Sequence, residues 1–310
     1  MNRNLRRLVE NHFPTKAEMI NHYKRHDVFR CAHESHRRFN HTVSVYHVLK
    51  VKQCYPHGCT YFRWKCKKLC TGASCPKKYH HVGRLCFSCR FFYDEKEINR
   101  PEVIISQNQF KQFLNEFKLF EDWIENQSGR QVEFSGTISS VKPEYILMKA
   151  KYKSHVILKG FLITFNNCII NKIPFNDTVY APVSIRLQNN FNFSLQDVID
   201  CSGYFTVSGG MIFLRHLRRI ERHENFMPPY WTESKARVMQ KTGTILPYQL
   251  ERCHACENGT LLYVFHEGDS TPHARALFCL EGINDPELCG FPAKQLLMHT
   301  ACPHDNFAKL

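Results

Sequence analysis

The 310-residue sequence predicts a mainly β protein with some helix, built in four parts. Three observations predict it. Alternating apolar residues fill the text from Gln131 to about His223. Cysteines gather at the two ends, eight before residue 90 and five after residue 250 out of 15. A stripe of aromatics at helical spacing separates the first cysteine group from the strands. The expected parts are a basic Cys/His-rich module over 1–100, a linking amphipathic helix over 101–128, a five-stranded barrel over 129–226, and a linker with a cysteine-bearing module over 227–310.

Composition narrows the class. An apolar fraction of 43% suits a globular chain, and no run reaches the roughly 18 apolar residues of a membrane span. The N-terminal "MNRNLRRLVENHF" has charge without an apolar stretch behind it, so an intracellular protein of cytoplasm or nucleus is expected, with no membrane partner. In a reducing compartment the thiols are better explained by metal than by disulfides. Residues 1–100 hold 21 Lys+Arg against 7 Asp+Glu, whereas the rest of the chain holds 21 of each. All the excess charge therefore lies on the cysteine-rich segment, together with ten histidines. Charge this local points to a polyanion, and phosphate backbones are the commonest one.

In chain order, "FPTKAEMINHYKRH" reads as a short helix, with Thr15 and Glu18 as a capping box. "HTVSVYHVLKV" alternates like a strand, "TYFRWK" is its expected partner, and "CYPHGC" between them reads as a metal-binding turn. The long helix starts at Ser106, where Gln109 completes a second capping box. It carries Phe110, Phe113, Leu114, Phe117, Phe120, Trp123 and Ile124, a packing stripe, and ends at "NQSGR".

"VEFSGTISSVKPEYILMKA", "HVILKGFLITFNNCII" and "VYAPVSIRL" read as three strands, with candidate bends at Gly136 and Gly160. A short helix or turn at "SLQDVID", a strand, a Gly209-Gly210 hairpin turn and a last strand complete five. This order, with "DVIDCSGYFTV" followed by "GGMIFLRHLRRI", resembles OB-fold nucleic-acid-binding barrels at the level of fold over about 130–224. "NFMPPYW" then breaks the chain as a linker or wrapping segment. The end resembles a zinc ribbon: a tight Cys253–Cys256 pair, a strand-like middle, then Cys279 and Cys289.

Four thiolates in two close pairs suit tetrahedral zinc. Cys253, Cys256, Cys279 and Cys289 form one expected set. Cys70, Cys75, Cys86 and Cys89 form a second, in which only the last pair has ideal spacing. Cys31, Cys54, Cys59 and Cys66 remain for a third, with His33, His36 or His57 as substitutes. Two or three zinc ions are expected, and a [4Fe–4S] cluster is the alternative for the N-terminal module. Cys302 is left over, and Cys168 and Cys201 read as small buried hydrophobes.

On the barrel, Tyr145, Tyr152, Phe161, Phe165, Tyr180, Phe191, Phe193, Tyr204 and Phe213 are available, and about half must fill the interior. OB folds stack bases on exposed aromatics while cations follow the backbone. The candidate contacts are Arg63, Lys65, Lys67, Lys68, Lys77, Lys78 and Arg84 in the basic module, and Arg215, Arg218, Arg219, Tyr152 and Tyr204 on the barrel. Strand alternation pairs Arg215 with Arg219 on one face and Arg218 with Arg222 on the other.

Phosphate-loop, G-x-S-x-G and H-E-x-x-H motifs are missing from the sequence. Asp94, Glu95 and Glu97 offer acids to a metal-dependent nuclease, although three acids at a module border usually face solvent. The expected function is therefore zinc-dependent binding of single-stranded DNA or RNA by a non-enzymatic factor, with proteins of a processing complex as further partners. The alternatives are a nuclease or processing-enzyme component and a protein–protein scaffold that docks through the barrel.

Overall fold

The structure is a computed structural model that describes residues 18–151, 153–223, 228–248 and 251–290. It divides into two compact units. The smaller runs from His22 to Asn115, and the larger takes the residues up to Asn21 and from Glu116 onward. Most of the regular structure is strand. No described helix is long and apolar enough to cross a membrane.

The first strand, β1 (Met19–Ile20), belongs to the larger unit. In the smaller unit, β2 (Phe29–Arg30) pairs with β3 (Thr42–Val43), and β4 (Cys59–Cys66) pairs with β5 (Phe92–Asn99). β6 (Glu102–Val103) closes a three-stranded sheet on β2. The four-residue helix α1 (Lys67–Cys70) follows β4 directly. Phe29, Tyr55, Phe110 and Phe113 form the aromatic core, with ring centroids 5.3–6.4 Å apart.

Three local expectations change here. Thr15 lies outside the described residues, and residues 19–24 form β1 and a 3-10 turn instead of a helix. "HTVSVYHVLKV" is extended only at β3. Ser44 Oγ then accepts the His47 N–H and starts a helical turn over His47–Val51, because Val43, Val45 and Val48 must all reach one core. "TYFRWK" finds its partner further along the chain in β5, with Thr60 opposite Ile98 and Lys65 opposite Tyr93.

Helix α2 (Gln107–Gln127) forms where its stripe predicts. Ser106 Oγ accepts the Gln109 N–H at 3.3 Å, and Gln109 Oε1 accepts the Ser106 N–H at 3.0 Å, a capping box. At its other end Gly129 takes φ 71° and turns the chain into the sheet. Trp123 stacks on Phe175 at 5.5 Å and meets Phe205 edge-on.

The larger unit is one ten-stranded sheet. β7 (Gln131–Lys149) and β8 (Ser154–Ile170) are long antiparallel neighbours. The short β9 (Ile173–Asn176) lies beside β8 and also pairs with β1. β10 (Val179–Val183) is antiparallel to β8, and helix α3 (Ile185–Phe191) follows it. The expected third strand thus stops early, because Ser184 caps the helix by accepting the Leu187 N–H. β11 (Val198–Ser208) and β12 (Met211–His223) form the predicted hairpin, with Gly209 and Gly210 both at positive φ in its two-residue turn. β11 also pairs with β7, and β12 pairs in parallel with β10. The pairings therefore run β7–β8–β10–β12–β11 and return to β7. Ile138, Phe161, Ile163, Phe165, Ile199, Phe205, Ile212 and Leu214 are buried.

The C-terminal part does not stand apart from this sheet. Trp231, in the proline-broken segment, is buried, and its carbonyl accepts Gln188 Nε2 at 3.1 Å. Helix α4 (Glu233–Thr242), strand β13 (Thr244–Ile245) and helix α5 (Glu251–Ala255) lead into the hairpin β14 (Gly259–His266) and β15 (Ala274–Cys279). β14 pairs in parallel with the second half of β7, Leu262 opposite Tyr145. The hairpin expected as a separate module is an extension of the same sheet.

Candidate nucleic-acid interface and cysteine clusters

β12 departs from simple alternation twice. Opposite Asp200, Ser202 and Tyr204, its partners are Glu221, Arg218 and Arg215, so each two-residue step on β11 meets three residues. The extra residues are taken up at Arg219 (φ 49°) and His216 (φ 53°), two β-bulges. Each bulge shifts the phase, so Leu214 and Leu217 stay inside while Arg215, His216, Arg218 and Arg219 all lie exposed. The expected division of these arginines between two faces is wrong for this reason. Arg222 acts differently, in that its guanidinium pairs with the buried Asp197 at 2.9 Å and donates to the Phe191 carbonyl at 3.0 Å. Asp197 also accepts the Ser194 N–H at 2.7 Å, a role no sequence signal singled out.

Beside these cations lie the aromatics. Tyr145, Phe161, Phe165 and Phe193 are buried, whereas Tyr180, Phe191, Tyr204 and Phe213 remain partly exposed. Tyr152 lies outside the described residues. Tyr180 is opposite Phe213 across β10 and β12, with rings 5.5 Å apart. Tyr204 is opposite Arg215 across β11 and β12, and its ring meets His216 at 6.1 Å. The Arg215 guanidinium rests 5.3 Å from the Phe213 ring and donates to Thr206 Oγ1. Rings and cations thus alternate along one band of three adjacent strands.

The basic residues of the smaller unit divide into two groups. Arg63 and Lys65 project from β4 toward β5, where Glu97 and Glu95 face them, and Arg63 also reaches Glu34 at 3.4 Å. These ion pairs engage two of the three acids that a nuclease reading would use. Lys67, Lys77, Lys78 and Arg84 are exposed on the following turns, while Lys68 lies over the Phe91 ring at 4.8 Å.

Among the described residues, no group of three or more His, Cys, Asp or Glu side chains is gathered as a metal site. The fold does decide which thiols are neighbours. Cys59 and Cys66 sit at opposite ends of the eight-residue β4. At about 3.3 Å per residue they are roughly 23 Å apart and cannot share an ion. Cys59 instead lies near Cys31 and Cys54. Burial chiefly pushes the Cys54 thiol up to about 11, and the fields of Cys59 and Cys31 add to this. Of the suggested substitutes, His33 Nδ1 lies 2.8 Å from Ser35 Oγ, His36 is buried, and His57 is exposed on the turn. Cys66 lines a cavity with Cys75, Cys86 and Cys89. Cys70, expected in that set, is exposed, with its thiol 3.7 Å from the Tyr93 hydroxyl.

At the C-terminal end Cys256, Cys279 and Cys289 lie near Cys253. Burial first, and then the fields of Cys256, Cys289 and Cys279, raise the Cys253 thiol against the opposing pull of Arg252. Cys279 closes β15 opposite Gly259, three residues beyond Cys256. A Cβ at Gly259 would overlap the Cys253 carbonyl oxygen, so the turn closes only around glycine. Beneath it, Lys142 reaches up from β7 and donates to the carbonyls of Cys256 at 2.6 Å and Gly259 at 2.9 Å. Burial pushes this ammonium below the usual lysine range, while the Cys256 thiolate and Glu257 pull it back. Thr260 Oγ1 donates to the Pro143 carbonyl at 2.9 Å, and Tyr145 packs on Phe278. The half-buried Lys142 thus braces the turn that carries Cys256, although these four thiols are not gathered as a metal site among the described residues. Cys302 lies outside the described residues. Cys168 and Cys201 are buried in the sheet, with both thiols pushed up to about 12, chiefly by burial.

The chain matches no protein-family model, no curated protein and no solved structure.

Proposed function

We propose that this protein binds single-stranded nucleic acid on an OB-type barrel formed by β7, β8, β10, β12 and β11. The returning order of strand pairings supports the barrel, as does the placement of α3 between its third and fourth strands. One observation carries the function: the outward band of Tyr180, Phe213, Arg215, Tyr204 and His216. Partly exposed flat rings accept stacked bases of any sequence, and adjacent guanidinium groups meet the phosphates. The turn between β7 and β8, with Lys149, Lys151 and Lys153, borders the region where such barrels take up a strand.

The basic module adds affinity that does not depend on sequence, through Lys67, Lys68, Lys77, Lys78 and Arg84. Arg63 and Lys65 contribute less, since carboxylates already face them. Zinc bound by Cys253, Cys256, Cys279 and Cys289 would fix the end of the β14–β15 hairpin, because metal makes rigid turns from loop-rich text. Binding of labelled single strands by the full chain, titrated against salt, tests the reading. Tyr204→Ala and Phe213→Ala should each weaken binding by about 1–3 kcal/mol and leave the salt slope unchanged. Arg215→Gln should instead lower that slope by about 0.7. Normal affinity in the Tyr204→Ala/Phe213→Ala double variant would overturn the assignment and favour a protein-docking barrel.

A further inference from the structure

The β4–β5 ribbon of the smaller unit has two unlike faces. One carries Tyr61, Arg63 and Lys65 opposite Glu97, Glu95 and Tyr93, and there Arg63 pairs with Glu97 and Lys65 with Glu95. The other carries Thr60, Phe62 and Trp64 opposite Ile98, Lys96 and Asp94. The apolar side of an antiparallel sheet ordinarily packs on a core while its charged side meets water. Here the apolar side is the open one: Phe62 is 58% exposed, Ile98 53% and Trp64 43%. Phe87, itself exposed, meets Trp64 edge-on at 4.8 Å and Phe92 at 5.2 Å, and Leu85 is exposed two residues before it. A contiguous apolar patch left in water marks a binding surface.

The surrounding charge selects the occupant. Lys67, Arg84, Arg90 and Lys96 are exposed, each within three residues of one of these apolar side chains. Two of the ribbon's three acids face the other way and are paired. With 21 Lys+Arg against 7 Asp+Glu over residues 1–100, the complement is a polyanion. A dry protein interface would bury Lys96 and Asp94 among the rings, and interface cores are depleted of charge. Asp94 would also repel an anionic lipid surface. A single strand accepts the whole arrangement: bases stack on the rings, cations meet the phosphates, and a carboxylate accepts a base amino group. Phe62 and Trp64, on alternate residues of one strand, stand about 7 Å apart. The Phe87 ring holds Trp64 in place beforehand, which lowers the cost of ordering it on binding.

We propose that Phe62, Trp64 and Phe87 form a second base-stacking platform for single-stranded nucleic acid, separate from the barrel band. The proposal rests on the single-strand reading, and its test separates the two surfaces. Of the three tryptophans, Trp123 and Trp231 are buried, so the emission of Trp64 reports on this face. The full chain is titrated with a labelled oligothymidylate, and tryptophan emission and strand anisotropy are read together. The strand should quench the emission. Tyr204→Ala/Phe213→Ala should keep the quench, displaced to higher strand concentration. Trp64→Phe should abolish the quench and leave affinity nearly unchanged, because a ring remains. Phe62→Ala/Phe87→Ala should weaken binding at least about fivefold. Binding without a quench in the wild type, or a quench that survives Trp64→Phe, would overturn the platform and leave the barrel reading standing. A quench that disappears altogether in Tyr204→Ala/Phe213→Ala would assign the strand to the barrel alone and also overturn it. Quenching by anionic phospholipid vesicles and not by the strand would overturn it in favour of a lipid surface. A wild-type chain that binds no strand would overturn both readings.

Discussion

Replacing Lys142 with methionine should loosen the β14–β15 hairpin from the strand that carries it. The ammonium donates to the Cys256 and Gly259 carbonyls, at 2.6 and 2.9 Å. A hydrogen bond from a charged donor contributes about 1.5–3 kcal/mol, so the pair contributes roughly 3–6. Methionine keeps the stem's packing and removes a buried charge, which returns part of that loss. The balance is a destabilisation of about 2–3 kcal/mol, since two charge-assisted hydrogen bonds are lost while the Cys256 carbonyl keeps only the Gly259 N–H at 3.1 Å. For a unit of this size that lowers the midpoint by roughly 5–10 °C. Thermal unfolding of the full chain, followed by near-UV dichroism, measures it. The variant should unfold at a lower temperature than the wild type. An unchanged or raised midpoint would show that the amine does not hold the Cys256 turn.

Trp123→Ala should destabilise the larger unit by about 3–5 kcal/mol in urea, because the indole is buried between Phe175 and Phe205. Cys168 and Cys201 should resist alkylation in the native protein at pH 8, while the exposed Cys70 reacts first. Their folded-state values, raised from 9.0 to about 12, set the pH dependence. Stability is complete below pH 9 and falls as pH climbs toward 12, by about 1.4 kcal/mol per unit for each thiol. Alkaline titration of Cys201→Ala should give a shallower decline than the wild type; an equal slope would place the alkaline limb elsewhere.

Signals held within a few residues of one another could be read from the chain alone. The capping box at Ser106 and Gln109, the stripe from Phe110 to Ile124 and the Gly209-Gly210 turn each depend on neighbours three or four positions away. The succession of strands in the larger sheet was legible for the same reason, as alternation is a local property. The same stretch also offered a pool of aromatics of which, among the described residues, four are buried and four partly exposed, without saying which. The short elements of the first fifty residues were not legible, because a core of Val43, Val45 and Val48 overrides a weak strand pattern.

The order of residues alone establishes the kind of protein: strand-rich, basic at one end, and carrying cysteines in groups at both. Folding in three dimensions selects which of these side chains act together. Elimination grouped Cys59 with Cys66, but an extended strand holds them roughly 23 Å apart. Alternation split Arg215 from Arg218, but two bulges bring both outward. Nothing local linked Lys142 to Cys256, 114 residues away, until β14 paired with β7. The physical reason is the same in each case. Local sequence sets the conformation of a segment, whereas a site is assembled by pairing and burial between segments that are far apart in the chain.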